Sequence, residues 1–378
     1  MTAPALQFLD HPLARVAYAD TGRGGPALVW LHGALCSHAD WVGSVAHFAG
    51  RHRCIALDLP GHGASPAGPA AIGIQAYARI VRDLCAALAL DDVVLIAHSM
   101  GCRVALQAAV GTRAQEPPAL RLNPGSEPPP SGLQRLSPGG QGEQDADAEP
   151  HAGPLPGLRG LVLVDGAYLT PRLLGDAGAT ERQALAAQAR ARAAALYETA
   201  APMERAARGF GQMFFDPAFD AVRDRMVERA RALPPEVART LMPDFAAWDV
   251  EHMEQVLPRL RVPVLAFVCT FMNSAHERVR LGADTRTPWI EALERHVRAL
   301  ELVRVPGAGH FPMLEQPQAV HSRIDAWLQG LPAPGGAAEA AGTAHRCGGA
   351  AHTPAAAQTP LGAAGTPTAA RPPLPRCR

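Results

Sequence analysis

The sequence contains no lysine. All 35 basic residues are arginine, and 35 acidic residues balance them to a formal net charge of zero. A chain without a positive excess lacks the electrostatic footprint of a nucleic-acid binder, so no nucleic-acid partner is expected. Long apolar runs are missing too, none approaching the ~18–20 residues needed to cross a bilayer. The opening segment, MTAPALQFLDHPLAR, has no basic start followed by a continuous apolar stretch. Neither a signal peptide nor a membrane anchor is therefore expected, and the cytoplasm is the expected compartment. Cysteine is sparse, with seven residues and no C-x-x-C pair. That pattern predicts thiols rather than disulfides, with Cys54, Cys102 and Cys269 in stretches expected to be buried. The 15 histidines are scattered without ligand spacing, so no metal site is expected.

Two segments are poor in large apolar side chains and predict disorder. One, 113–157, is rich in Pro, Gly, Ser and Gln; the other, 331–378, is mostly Ala, Pro, Gly and Thr. What remains divides into a first half of an α/β core over 1–112, a core strand over 158–165, a helical segment over 166–260 and a second core half over 261–330. Short apolar runs predict strands at 6–10, 14–19, 27–31, 54–57, 93–97, 161–164, 264–268 and 301–305. Ile74, Tyr77, Val81, Leu84 and Leu88 recur on one face and predict a helix over 74–88. Helices are also expected at 181–198, 202–215, 217–233 and 235–248. Aromatic and thioether side chains in that region, Phe210, Met213, Phe214 and Trp248 among them, are candidates for an apolar lid.

The most informative motif is AHSMG, at 97–101. It follows the apolar run 93–96 and opens a helical stretch, which places Ser99 where a strand turns sharply into a helix. Small residues two places either side let strand and helix pass closely. Ala97 stands where the usual G-x-S-x-G has its first glycine. The bland alternative is a helix start capped by Ser99. HGAL at 32–35 and DLPGHGAS at 58–65 precede the serine; GAGHFPMLEQP at 307–317 follows it, with His310 in a glycine-flanked turn after the last strand. In content and order these pieces resemble the α/β-hydrolase family.

The resemblance implies an α/β fold with a mostly parallel, doubly wound sheet and an inserted helical cap over 166–260. It also implies Ser99 as nucleophile, His310 as general base, and an oxyanion hole from the backbone N–H groups of Ala34 and Met100. His32 and Gly33 are expected to shape the loop before Ala34, Asp58 to organise its own loop, and His98 to be structural or pocket-lining. The acid departs from the commonest pattern. Where many relatives carry Gly-x-x-Asp after the strand 264–268, this chain reads Cys-Thr-Phe-Met-Asn. Some relatives, including haloalkane dehalogenases, carry the acid one strand earlier, which favours Asp165; Glu277 is the alternative acid and Asp284 the third.

Ester or lactone hydrolysis of a small, largely apolar substrate through an acyl-enzyme is the leading expectation. Hydrolysis of a carbon–carbon bond in a diketone-like compound is the alternative, for which Arg190, Arg208 or Arg278 would bind a second polar group, although each also reads as surface charge. A non-catalytic ligand receptor on the same scaffold is the third reading, motivated by the displaced acid. No cofactor is needed for the chemistry, the partner is a small-molecule substrate, and the sequence leaves oligomeric state open.

Overall fold

Apolar runs with no polar alternation pair only with other buried strands, and this property dictates the centre of the molecule. The computed structural model describes residues 4–66, 68–111, 153–166, 173–273 and 277–332. The strands are β1 (Leu6–His11), β2 (Ala14–Asp20), β3 (Ala27–Leu31), β4 (Cys54–Leu57), β5 (Val93–His98), β6 (Leu158–Val164), β7 (Val264–Val268), β8 (Thr270–Met272), β9 (Arg278–Arg280) and β10 (Leu300–Arg304). Eight of them form one sheet in the order β1-β2-β4-β3-β5-β6-β7-β10. The pairs from β4 to β10 are parallel, whereas β1–β2 and β2–β4 are antiparallel. β3, β4, β5 and β7 are buried along their entire lengths.

The helices are α1 (Val42–Phe48), α2 (Ile74–Ala87), α3 (Met100–Val110), α4 (Ala179–Tyr197), α5 (Pro202–Arg208), α6 (Asp220–Arg231), α7 (Pro235–Glu251), α8 (Met253–Val256), α9 (Pro288–His296), α10 (Pro312–Glu315) and α11 (Pro317–Gln329). α1 meets α11, where Ser44 Oγ and His321 Nε2 are 2.9 Å apart, and α2 packs on α3. Trp30 packs tilted against Trp41 and Phe48 in the core at centroid separations of 5.0 and 5.5 Å. Each fully buried side chain of this size contributes roughly 1.5–3 kcal/mol by leaving water.

Register then positions the site. His98 pairs with Val164, and Val164 with Phe267, so three adjacent strands end at one level. The ladder continues one residue further, with Ser99 N–H donating to Val164 O at 3.0 Å and Asp165 N–H to Phe267 O at 2.9 Å. Ser99 and Asp165 thus leave neighbouring strands side by side.

Helices α4 to α8 occupy the chain between β6 and β7. α5 stops at Arg208 instead of running to 215, because Gly209 and Gly211 lower helix stability and the chain tightens into a 3₁₀ turn over Gly209–Gln212. α6 begins at Asp220 instead of 217, after a 3₁₀ turn in which Asp216 accepts from the Ala218 N–H. α7 runs on to Glu251 with Pro243 inside it. β6 starts at Leu158, and ahead of it Leu155 is buried with its N–H donating to Ala109 O at 3.1 Å, so packed chain begins before the expected boundary at 157. The rest of the 113–157 segment, and all but the first two residues of 331–378, lie outside the described residues. The antiparallel hairpin of β8 with β9 was not expected. Among the described residues no helix is long and apolar enough to cross a membrane.

Candidate active site

The AHSMG segment makes a sharp corner. Ser99 has φ 53° and ψ −117°, a conformation that L-residues seldom adopt and that persists only where surroundings enforce it. Gly101 shows what enforces it: a Cβ there would lie 2.7 Å from the carbonyl oxygens of Leu31 and His32, so α3 approaches β3 through a gap that only glycine fits. Ala97, in the place of the motif's first glycine, lies within β5, where its methyl is buried in the sheet core. Ser99 is partly exposed, while His310 and Asp165 are buried.

His310 Nε2 lies 2.9 Å from Ser99 Oγ, and His310 Nδ1 lies 2.7 Å from Asp165 Oδ2. The two carboxylate oxygens of Asp165 are fully engaged. Oδ1 accepts from the N–H groups of Cys269 and Thr270 at 2.8 and 3.0 Å; Oδ2 accepts from Thr270 Oγ1 at 2.6 Å as well as from His310. The residues that replace the usual acid after β7 are thus the donors that hold the acid arriving from β6. Burial pushes the Asp165 carboxyl upward, but the His310 hydrogen bond, the charges of His310 and Arg278 and the Thr270 hydroxyl outweigh it and leave it lowered. An ionised carboxylate only accepts, so Nδ1 carries the proton and Nε2 is free to accept from Ser99.

The His310 loop is held from several sides. His310 N–H donates to Met213 O at 2.7 Å, and His98 Nε2 donates to His310 O at 2.8 Å. Glu315 accepts from the N–H groups of Gly309 and Phe311 at 2.9 and 3.3 Å. Phe311 stacks on Phe214 and Phe210, with centroids 5.0 and 6.2 Å apart, so side chains from the β6–β7 insertion pack against the loop. Burial, reinforced by the Arg278 charge, pulls the His310 imidazole down to about 4 against the opposing pull of Asp165.

Gly33 brings the preceding loop against the serine, since a Cβ there would lie 2.9 Å from His98 Nδ1 and 3.1 Å from Ser99 Cβ. Beyond it the N–H groups of Ala34 and Met100 donate to no group among the described residues. His32 shapes this loop as expected, its Nδ1 donating to Gly33 O at 2.7 Å while its Nε2 accepts from Leu59 N–H at 2.9 Å. Asp58 accepts from the backbone of His38 and Ala64 at 2.8 Å each, in the loop-organising place expected of it.

The remaining candidates are not brought to the serine. Glu277 is exposed and turned toward Asn273, with Asn273 Nδ2 donating to it at 3.1 Å, and Asp284 is exposed. Arg190 and Arg208 are on the surface. Arg278 is not surface charge: its side chain is 9% exposed and its Nη1 lies 3.1 Å from His310 Nδ1. Thr270, Glu315 and the Met213 carbonyl carry no sequence signal of their own: Thr270 and Met213 meet Asp165 and His310 only in the fold, and Glu315 holds the loop by accepting from its backbone N–H groups. Among the described residues no group of three or more His, Cys, Asp or Glu side chains could hold a metal ion.

Comparison with known proteins places the chain in a family. A family model described as the alpha/beta hydrolase family matches residues 28–323. An uncharacterized protein of Mycobacterium tuberculosis is 39% identical over 106 residues, 28% of this chain and 31% of the relative. The chain therefore matches under a third of that relative's length. A hydrolase structure from Pseudomonas aeruginosa aligns with TM-score 0.57 at 20% identity over 86% of this chain and 99% of that one. A carboxylesterase structure from Bacillus subtilis aligns with TM-score 0.57 at 17% identity over 87% and 93%. At such identities the two structures speak for the fold.

Proposed function

The chain belongs to the alpha/beta hydrolase family, and from that premise we propose that it is a serine hydrolase cleaving a carboxylic ester or lactone of a small, largely apolar substrate through an acyl-enzyme. The observation that carries this reading is the unbroken line from Ser99 Oγ to His310 Nε2 at 2.9 Å and from His310 Nδ1 to Asp165 at 2.7 Å. In the first half-reaction Ser99 Oγ attacks the carbonyl carbon as His310 Nε2 takes its proton. Asp165 holds the tautomer and stabilises the imidazolium. Negative charge on the carbonyl oxygen is met by the N–H groups of Ala34 and Met100, each such donor contributing roughly 2.7–4 kcal/mol of transition-state stabilisation. The imidazolium then protonates the leaving alkoxide, and water attacks the acyl-enzyme by the same steps in reverse. Helices α4 to α8 serve as the cap over the serine, with Phe210 and Phe214 contributing to its apolar lining.

The alternatives lose their support. The receptor reading rests on a displaced acid, and the 2.7 Å approach of Asp165 to His310 Nδ1 supports a working triad instead. The carbon–carbon hydrolase reading drew on three arginines, of which Arg190 and Arg208 face solvent and Arg278 stands on the Nδ1 side of His310. A panel of short- and long-chain acyl esters, lactones and diketones separates the readings. Esters or lactones are expected to turn over, with Ser99→Ala reducing the rate by at least about 10³-fold. Turnover of diketones alone, or an undiminished rate in Ser99→Ala, overturns the proposal.

A further inference from the structure

Arg278 is a strange neighbour for a general base. Cations beside an imidazole disfavour the imidazolium, and the mechanism above requires that imidazolium to form. Yet the residue is built in. Its Nη1 donates to Thr270 Oγ1 at 2.7 Å and lies 3.1 Å from His310 Nδ1, and its ion pair with Asp165 Oδ2 is long, at 3.9 Å. Its backbone N–H donates to Gln212 Oε1 at 3.0 Å, which fixes β9 against the insertion. Thr270 Oγ1 in turn donates to Asp165 Oδ2, the oxygen that also accepts from His310 Nδ1–H. A guanidinium only donates, and Nδ1–H is already committed to the carboxylate, so Arg278 meets the imidazole as a charge and not as a hydrogen-bond partner.

Resting on the Ser99–His310–Asp165 reading, we propose that Arg278 is a positioning residue: its charge keeps the His310 imidazole neutral until Ser99 delivers a proton, and through Thr270 it fixes the Asp165 oxygen that orients the ring. The groups facing His310 are few. Asp165 approaches from the end of β6, Arg278 from β9, Arg103 from α3 and His98 from β5, and Glu315 of α10 engages only the loop backbone. His98 is itself held well below the ordinary imidazole value, by burial first and by His310 second, and is neutral. Arg278 is thus the nearest cation and the direct counterweight to Asp165. With the base neutral in mildly acid solution, hydrolysis persists there, where an ordinary imidazole would be protonated and idle.

The test is a side-chain NMR titration of the full-length protein, with the His310 signal identified by its loss in His310→Gln. In Arg278→Met the His310 midpoint is expected to rise by about 1 unit or more, and in Arg278→Lys, which keeps the charge, to stay near wild type. Arg278→Gln, also neutral, is expected to give the same rise and serves where the Met variant does not fold. Ester hydrolysis follows: a raised midpoint leaves more of the base protonated, so for a one-unit rise the activity of the neutral variants at pH 5, relative to pH 8, falls about twofold against wild type, and at pH 4 about fivefold. An unchanged His310 midpoint in a folded neutral variant overturns the proposal. Hydrolysis that survives Ser99→Ala instead overturns the serine-hydrolase reading, and the titration still decides whether Arg278 sets the charge of His310.

Discussion

At the scale of the residue, the oxygen atoms of Asp165 decide which carboxylate orients His310. Two backbone N–H groups and a hydroxyl converge on it along with the imidazole. In Asp165→Asn the amide must present NH₂ to one side, and the two N–H donors on Oδ1 fix its carbonyl there, so NH₂ faces His310 Nδ1. The imidazole then protonates at Nε2 and cannot take the Ser99 proton. Asp165→Asn is expected to lower kcat by about 10⁴-fold, while Glu277→Gln, altering an exposed side chain paired with Asn273, leaves it within about twofold of wild type. Steady-state kinetics on one ester settles this, and equal rates in wild type and folded Asp165→Asn remove Asp165 from the mechanism. Ser99 and His310 were legible in the sequence because a strand-turn-helix serine and a glycine-flanked histidine have local signatures. Asp165 was legible through the absence of a carboxylate after β7 together with its own place at the end of the preceding strand, where some relatives carry the acid. Thr270 and Arg278 were not legible, because their meeting with Asp165 depends on a hairpin of two three-residue strands that no periodicity announces.

At the scale of the element, the β6–β7 insertion is fastened to the core by polar contacts near the serine. Asp249 of α7 takes two hydrogen bonds of 2.8 Å from Arg103, one turn after Ser99, and Arg103 also donates to Ser99 O at 3.2 Å. Asp244 of α7 caps α2 by accepting from Ile74 N–H at 2.8 Å. Arg229 of α6 pairs with Asp40, just beyond the Ala34 loop, at 2.8 Å. Both side chains of the Arg103–Asp249 pair are 1% exposed, so removing one partner takes a two-pronged ion pair away from a charge held in the interior. Arg103→Met is expected to lower unfolding stability by about 3–5 kcal/mol in urea titration, with the double variant Arg103→Met/Asp249→Leu recovering most of it. A loss that the double variant does not recover contradicts the ion-pair account. The helices of this region were legible from propensity, but their ends were not: Gly209 and Gly211 broke α5, and Asp216 moved the start of α6, through local turn geometry that propensity does not encode.

At the scale of the whole molecule, one feature of the sheet explains the rest. Parallel strands with a shared register end at one level, so a serine after β5, an aspartate after β6 and a histidine in the loop after β10 gather at one end of the strands although they are far apart in the chain. That architecture was legible because the strands are short, apolar and unalternating, the pattern of a sheet covered on both faces. In the proposed mechanism this gathering makes Ser99 a nucleophile. Its nucleophilicity is tested most directly by treating the full-length protein with a fluorophosphonate ester and locating the adduct by peptide mass spectrometry. The account predicts a single adduct on Ser99, absent in Ser99→Ala and formed at least about 10³-fold more slowly in His310→Gln. An unlabelled wild-type protein, or an adduct on any other residue, contradicts it.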